Sequence, residues 1–467
     1  MSEGYVKRAY TLETRIANCE MGYFEDFKED YGVLCRRIWQ DLKHGVVDPN
    51  DTKEVSLYVS YLCKRYGYLK RTVNAAFHQM KGRAKALSEL VNLQIKEKQI
   101  KIGVLEEKIK KISEEIKNKK IYVEKFPNDQ RMVHSLRDKE AKKFSWVRRV
   151  QRYKSQIVSY EKDPKRVYSM CFGTKEFYRK QYHLEENGYK THEKWLNDFR
   201  KRRDHQIYYL GSSDETSGNQ MCQLFYIPEI DLFSLKVRKE NKYCNSDAKQ
   251  GSMENYEWFL IDFKYRKDLL IKMLEEGKSL SYQIIKKGNK WYVDVSFTLD
   301  CQLYTDMKKG CIGLDYNNGF IALTETDRYG NVVKIEKIYL DKHGGGNKAK
   351  SELLEKLSKI IRETRKKDKG IAIEKLKFVK KKAQQVKKGN KQYNKMLHLL
   401  DTKRYMQLCK DLSASYGVMI KEINPAYTSK IGEQKYVQQK KLNKHNAAAY
   451  VIARRAQGFK DELKKVS

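Results

Sequence analysis

Residues 310–340 read GCIGLDYNNGFIALTETDRYGNVVKIEKIYL, and the punctuation in this stretch frames the rest of the chain. An apolar run, Cys311-Ile312-Gly313-Leu314, ends at Asp315 and passes into a turn at Asn317-Asn318-Gly319. A second run turns at Tyr329-Gly330-Asn331 and leads into a third. Asn and Gly tolerate the positive φ angles of tight turns, so three consecutive strands are predicted. Downstream, Leu353, Leu354, Leu357, Ile360 and Ile361 recur at helical spacing, residues 371–376 (IAIEKL) read as a short strand, and Leu400, Leu408 and Leu412 mark another helix. Residues 418–423 form one more strand, and a closing helix starts near His445. The order βββαβαβα belongs to a mixed sheet flanked by helices.

Working upstream, residues 281–299 (SYQIIKKGNKWYVDVSFTL) are two alternating runs joined through Gly288-Asn289, a hairpin signature. Residues 167–172, 223–227 and 258–263 are shorter strand-like runs, and 211–220 (GSSDETSGNQ) is a polar loop. A small antiparallel barrel or sheet is the natural reading. Residues from about 20 to 160 read as helical, with Pro49 and Pro127 as punctuation; Ile102, Leu105, Ile109, Ile112 and Ile116 form the stripe of a helical-hairpin seam. The fold class is therefore multidomain α+β: a helical domain, a small β-barrel, and a C-terminal α/β domain similar to ribonuclease H-like folds.

Charge narrows the function. The 467 residues carry 97 Lys+Arg against 60 Asp+Glu, a formal net charge of +37. An excess of that size repels itself unless a polyanion neutralises it, and nucleic acid is the first candidate. An anionic membrane surface would concentrate the charge on one helix or tail, whereas here it runs through most of the chain. No window approaches the roughly 18 apolar residues of a spanning helix, and residues 1–10 lack the apolar core of a signal peptide, so no membrane and a cytoplasmic location are expected. With 33 Tyr, 16 Phe and only 5 Pro, wholesale disorder is excluded. The cysteines are scattered with no CxxC pair, which fits neither a disulfide framework nor a zinc site.

Two basic stretches are candidate nucleic-acid contacts. Residues 142–154 (KKFSWVRRVQRYK) interleave Lys142, Lys143, Arg148, Arg149 and Arg152 with Phe144, Trp146 and Tyr153. They read either as a solvated basic helix face or as a nucleic-acid-facing helix, and the total charge favours the second. Residues 375–395 (KLKFVKKKAQQVKKGNKQYNK) carry nine lysines and no acid, among them Lys380, Lys381, Lys382, Lys387 and Lys388. Such a run is often a solvated loop. Beside a nuclease site it reads as a segment that contacts phosphates, with Tyr393 available to stack on a base.

Asp315 alone reads as a turn aspartate. Glu374 lies inside the strand 371–376, where alternation puts Ala372 and Glu374 on one face and Ile371, Ile373 and Lys375 on the other; alone, it reads equally as a solvent-facing position. Together, two carboxylates on one small sheet suit Mg²⁺ or Mn²⁺, and a metal pair about 4 Å apart stabilises both the attacking and the leaving oxygen of a phosphodiester.

The segments Ile312-Gly313-Leu314-Asp315, Ile371 to Leu376, Asn424-Pro425-Ala426-Tyr427-Thr428-Ser429 and His445 to Arg455 (HNAAAYVIARR) resemble the split RuvC nuclease domain of the TnpB family, and Lys290 to Phe297 (KWYVDVSF) resembles the strand leading into it. The family comprises transposon-associated, RNA-guided DNA endonucleases ancestral to type V CRISPR effectors. The resemblance implies residues 1–19 as the first part of a wedge-like barrel, 20–160 as a helical recognition domain, 161–305 as the rest of the barrel and 306–467 as the RuvC-like nuclease. It further implies a guide RNA and a target double-stranded DNA as partners, in the bacterial cytoplasm or nucleoid. The basic channel would hold the heteroduplex by its backbone beside a short DNA motif read by side chains.

Two departures stand out. Residues 430–442 contain no cysteine where relatives carry a zinc ribbon, so no zinc is expected. Relatives also place an acidic ligand at the start of the final helix, where this chain has Asn443-Lys444-His445-Asn446. Asn443 is most simply the helix cap; His445 is a first-turn histidine or a ligand, and His445-Asn446 stands where some RuvC-like sites carry a His-Asp pair. The expected catalytic and Mg²⁺-binding set is thus Asp315, Glu374, His445 and Asn446. The amide weakens metal binding, since the site then holds two formal negative charges where three are usual. Three functions remain open: an RNA-guided DNA endonuclease, a nuclease-weakened or nuclease-dead RNA-guided DNA-binding protein, and a structure-specific resolvase or transposase. The last is disfavoured by the long region ahead of the nuclease domain.

If nucleic acid neutralises this charge, log affinity falls linearly with log salt, with a slope set by the number of phosphate contacts. Filter binding of RNA between about 50 and 200 mM salt should lose on the order of 1,000-fold in affinity; a flat response contradicts the polyanion reading.

Overall fold

The three strands predicted between residues 310 and 340 are present in the computed structural model, which describes residues 4–17, 21–162, 170–215, 218–244, 252–341, 346–375 and 402–463. The chain divides into two compact units, Ala9–Phe297 and a second made of Met1–Arg8 with Thr298–Ser467. The division falls inside the strand Lys290–Gln302, ahead of the expected boundary at 306.

Strand β1 (Tyr5–Ile16), in which the division at Ala9 falls, precedes helices α1 (Gly22–His44), α2 (Thr52–Tyr66), α3 (Lys70–Lys125) and α4 (Gln130–Lys162) of the Ala9–Phe297 unit. At about 1.5 Å per residue, the 56 residues of α3 span roughly 84 Å. Such a helix needs a partner for its apolar stripe, and α4 supplies it. Ile102 and Leu105 pack on Val150 and Ile157, with Ile109, Trp146 and Tyr153 beside them. The expected hairpin seam is therefore present. Trp146 and Tyr153 belong to that seam and not to the basic face on which their alternation with arginines placed them; Phe144, by contrast, is well exposed.

Helices α5 (Lys175–Arg179) and α6 (His192–Arg203) lead to β2 (Gln206–Tyr209), β3 (Cys222–Ile227), β4 (Leu232–Arg238), β5 (Tyr256–Ile261), α7 (Lys267–Glu275), β6 (Ser281–Lys287) and β7 (Lys290–Gln302). The strands form a four-stranded sheet ordered β1-β7-β6-β2 and a three-stranded sheet ordered β3-β4-β5. The β6–β7 hairpin turns at Gly288, whose φ of +60° is the conformation that the Gly-Asn pair predicted. The runs at 223–227 and 258–263 do not pair directly. A strand unread in the sequence, β4, lies between them. Of the expected strand 167–172, residues 167–169 lie outside the described residues and 170–172 are not extended in a sheet.

The second unit carries β8 (Asp306–Asn317), β9 (Phe320–Thr326), β10 (Val332–Tyr339), α8 (Gly346–Lys366), β11 (Lys369–Glu374), α9 (Thr402–Tyr416), β12 (Ile420–Ile423), α10 (Thr428–Ile431), α11 (Val437–Gln439) and α12 (Lys444–Gln457). The predicted order βββαβαβα is present, with the short helices α10 and α11 added before the closing helix; Leu400 lies outside the described residues. The sheet runs β10-β9-β8-β11-β12, antiparallel between β10, β9 and β8 and parallel between β8, β11 and β12. One face buries Ile312, Leu314, Ile371 and Ile373 against Leu353, Leu357, Ile360, Ile361, Tyr405 and Cys409 of α8 and α9. Leu354, read as part of that apolar stripe, is instead exposed. The other face buries Cys311 and Ala372 against Ile452, Ala453 and Ala456 of α12.

The second face permits a very close helix. A Cβ on Gly313 would lie 2.0 Å from the Ala449 carbonyl oxygen and 2.8 Å from the Ala453 nitrogen, both backbone atoms. Residues 428–442, where a zinc ribbon is the family pattern, fold as short helices that pack Ile431, Tyr436 and Leu442 against Ala447, Tyr450 and Val451. Among the described residues, no helix is long and apolar enough to cross a membrane.

Neither strand nor helix backbone can yield cheaply at Gly313, so Gly313→Ala should destabilise this unit by about 2 kcal/mol or more. Chemical denaturation followed by near-ultraviolet circular dichroism measures it; an unchanged midpoint contradicts the close approach.

Candidate active site

The pairing Ile373↔Leu314 between β11 and β8 places the next residue of each strand, Glu374 and Asp315, side by side at the carboxyl ends of neighbouring parallel strands. Ligands of open α/β sheets bind at such ends. Alternation decides the face. Cys311 and Ala372 point toward α12 while Ile312, Leu314, Ile371 and Ile373 point away, so Asp315 and Glu374 both fall on the α12 side.

Each carboxylate is steered by a neighbour. Asn317 Nδ2 donates to Asp315 Oδ2 at 2.8 Å. On the other side, His445 Nδ1 lies 3.5 Å from Asp315 Oδ2, with the Asp315 side chain 15% and the histidine 44% exposed. Phe320 holds the imidazole edge-on, ring centres 5.0 Å apart. Glu374 Oε1 accepts from the Thr428 hydroxyl, and Thr428 is buried. Behind Asp315, Tyr405 stacks on Tyr316 at 4.3 Å. Burial first, then Cys409 and then the Asp315 charge push the Tyr405 phenol well above its usual range, which keeps it neutral next to the acid.

His445 reaches this corner because α12 begins there. Asn443 caps the helix as expected, its Oδ1 accepting from the backbone N–H of His445 at 3.1 Å and of Asn446 at 2.8 Å. Asn446, named in the expected ligand set, is tied into the fold. It is 2% exposed, its Nδ2 donates to the Leu323 carbonyl at 3.0 Å and the Glu336 carbonyl at 3.2 Å, and its Oδ1 accepts from Asn443. Its own carbonyl accepts from Thr324 Oγ1 at 2.8 Å. Both ends of the amide are engaged, so Asn446 clips α12 to β9 and β10.

Carboxylate oxygens are the donor chemistry of a hard divalent cation, and Asp315 and Glu374 fit one on that ground, whereas the His445 imidazole is a softer donor. They do not form a closed cage. Among the described residues, no three or more His, Cys, Asp or Glu are gathered so as to hold a metal by themselves. Water or a substrate phosphate would complete the shell.

In the other unit, Phe144, Ser145, Arg148, Arg149 and Arg152 line a surface groove on α4. Lys142 lies over the Trp146 ring at 5.6 Å, and Lys143 is half-buried. Lys380, Lys381, Lys382, Lys387 and Lys388 lie outside the described residues, as does Tyr393. Thr428 was quoted above only as part of a motif, with no role. Its partnership with Glu374 depends on a loop returning over the strand end, which no local spacing signals.

No protein-family model and no curated protein matches the chain. Among solved structures it is similar to a Cas12f1–sgRNA–target DNA complex, with 11% identity and a TM-score of 0.36 over 96% of this chain and 99% of that one. It is also similar to T. thermophilus RuvC in complex with a Holliday junction substrate, at 11% identity and 0.24 over 31% and 89%. A Cas12i1 R-loop complex after target DNA cleavage aligns at 9% identity and 0.26 over 85% and 53%.

An acid at position 446 would face two carbonyl oxygens without a proton to give them. Asn446→Asp should therefore lower stability by about 2 to 4 kcal/mol at neutral pH without raising metal affinity. Denaturant titration and Mn²⁺ binding check the two halves; tighter Mn²⁺ binding with unchanged stability contradicts the clip.

Proposed function

We propose that this chain is an RNA-guided DNA endonuclease. A bound guide RNA pairs with target double-stranded DNA beside a short motif, and the phosphodiester is hydrolysed at Asp315 and Glu374 with Mg²⁺ or Mn²⁺. The single observation that carries the cutting step is the adjacency of Asp315 and Glu374 on one face of two parallel strands, with His445 against the first. The guided part rests on the charge of +37 and on the motif resemblance.

Asp315 and Glu374 would hold the cation, which lowers the charge barrier between water and a phosphodiester. Two carboxylates balance one divalent ion, so a second ion, if bound, would need further oxygen ligands from water and the scissile phosphate. Asn317 fixes the Asp315 carboxylate, and Thr428 fixes that of Glu374. With Nδ1 turned to Asp315, the imidazole of His445 keeps Nε2 on its far edge, where it can give a proton to a leaving oxygen.

A second reading has its own observation. α12 carries no Asp or Glu and its Asn446 is tied to the sheet, so the same protein with weak metal binding would be a nuclease-weakened, RNA-guided DNA-binding protein.

The RNA that copurifies should be one defined species, and DNA matching it should be cut in Mg²⁺ or Mn²⁺. Asp315→Ala should lower cutting by about 100-fold or more while leaving the bound RNA unchanged. A random RNA mixture contradicts guidance. Cutting that survives the substitution removes Asp315 from the site, and no cutting by the parent in either metal supports the binding-only reading.

A further inference from the structure

Beyond the ligands themselves, the site needs its longer carboxylate held still. Glutamate has one more rotatable bond than aspartate, and ordering such a side chain costs up to about 2 kcal/mol of rotamer entropy. Asp315 is held by Asn317 within its own turn. Glu374 is the last residue of β11, and the hydroxyl that bonds its carboxylate comes from the segment after β12.

That segment is built to deliver it. β12 ends at Ile423, which is paired with Glu374, and the Ile423 carbonyl accepts from Lys375 N–H at 2.9 Å. The chain then turns sharply. Asn424 Oδ1 accepts from Ala426 N–H at 3.1 Å, and Tyr427 adopts φ +62°, a left-handed conformation that a side-chain-bearing residue takes only when its surroundings enforce it. Arg455 of α12 supplies the enforcement: its Nη1 donates to the carbonyls of Asn424 and Ala426, each at 2.8 Å. The next residue, Thr428, is 2% exposed and sets its hydroxyl on Glu374 Oε1. The Pro425 carbonyl, 3.2 Å from the same Oγ1, is the competing acceptor, and the single hydroxyl proton favours the charged carboxylate.

We infer that Thr428 is a positioning residue for Glu374, and that Arg455, by clamping the Asn424–Ala426 backbone to the last helix, holds Thr428 in place. The inference rests on the nuclease reading above. The hydroxyl occupies one carboxylate oxygen and so fixes the orientation of the other toward the cation. Partners of this kind, one bond removed from a metal, typically contribute 10- to 100-fold in metal affinity.

The test is Mn²⁺ binding to the full metal-free chain, followed by electron paramagnetic resonance, alongside the Mg²⁺ concentration for half-maximal cutting. Thr428→Val keeps the buried shape and removes the proton. It should weaken Mn²⁺ binding by about 10- to 100-fold and shift the Mg²⁺ midpoint upward in parallel, and Thr428→Ser should restore most of the loss. Arg455→Gln leaves Thr428 intact and should weaken Mn²⁺ binding in the same direction by a smaller factor; it decides the matter if the valine variant does not fold. Parent-like Mn²⁺ binding in Thr428→Val, or in Arg455→Gln when valine cannot be read, overturns the inference. Glu374→Gln separates the two claims. If it weakens Mn²⁺ binding while Thr428→Val does not, the positioning role alone fails; if it has no effect, the metal site and this inference fail together.

Discussion

The candidate site depends on how closely the last helix can lie on the sheet. Gly313 in the central strand and the alanine-rich face of α12 let two backbones approach to a distance that one extra methyl group would forbid. The consequence is positional. With the helix seated there, its first turn comes level with the carboxyl end of β8, and His445 meets Asp315. A bulkier contact would lift the whole helix and take the imidazole away from the acid, because a helix moves as a rigid rod and not residue by residue.

The polar groups around that contact divide the labour. Asn443 satisfies the free N–H groups of the helix start, and Asn446 fastens the same turn to two strand carbonyls. A neutral amide suits that second task because it offers two protons to two acceptors in a place that water does not reach. The turn that holds His445 therefore brings no further negative charge to Asp315 and Glu374. The residues that steer the two carboxylates come from unlike places: Asn317 lies two residues from Asp315 in sequence, whereas Thr428 reaches Glu374 from the far side of β12.

The features legible from the sequence were those with a local cause. Gly288-Asn289 and Asn318-Gly319 announced their turns because few residues accept the backbone angles required, and the isoleucine stripe of α3 announced a helical seam because its spacing has no other use. Alternation around Glu374 placed it correctly with Ala372, since a strand's side chains have a period of two. The readings that failed were about partners. Trp146 and Tyr153 sit among arginines in the chain but face α3 in space, and β4 went unread although Phe233-Ser234-Leu235-Lys236-Val237 alternates apolar and polar residues in the sequence itself.

By itself, the sequence determined the charge, the order of strands and helices in the last third, and the residue types able to hold a cation. Those are consequences of composition and of short-range backbone preference. Tertiary structure alone decided which of the candidates meet. The register of β11 on β8 made neighbours of Asp315 and Glu374, the seating of α12 at Gly313 brought His445 to Asp315, and Asn446 was buried under two strand carbonyls. No local pattern carries that information, because it is fixed by packing and hydrogen bonding between segments far apart in the chain.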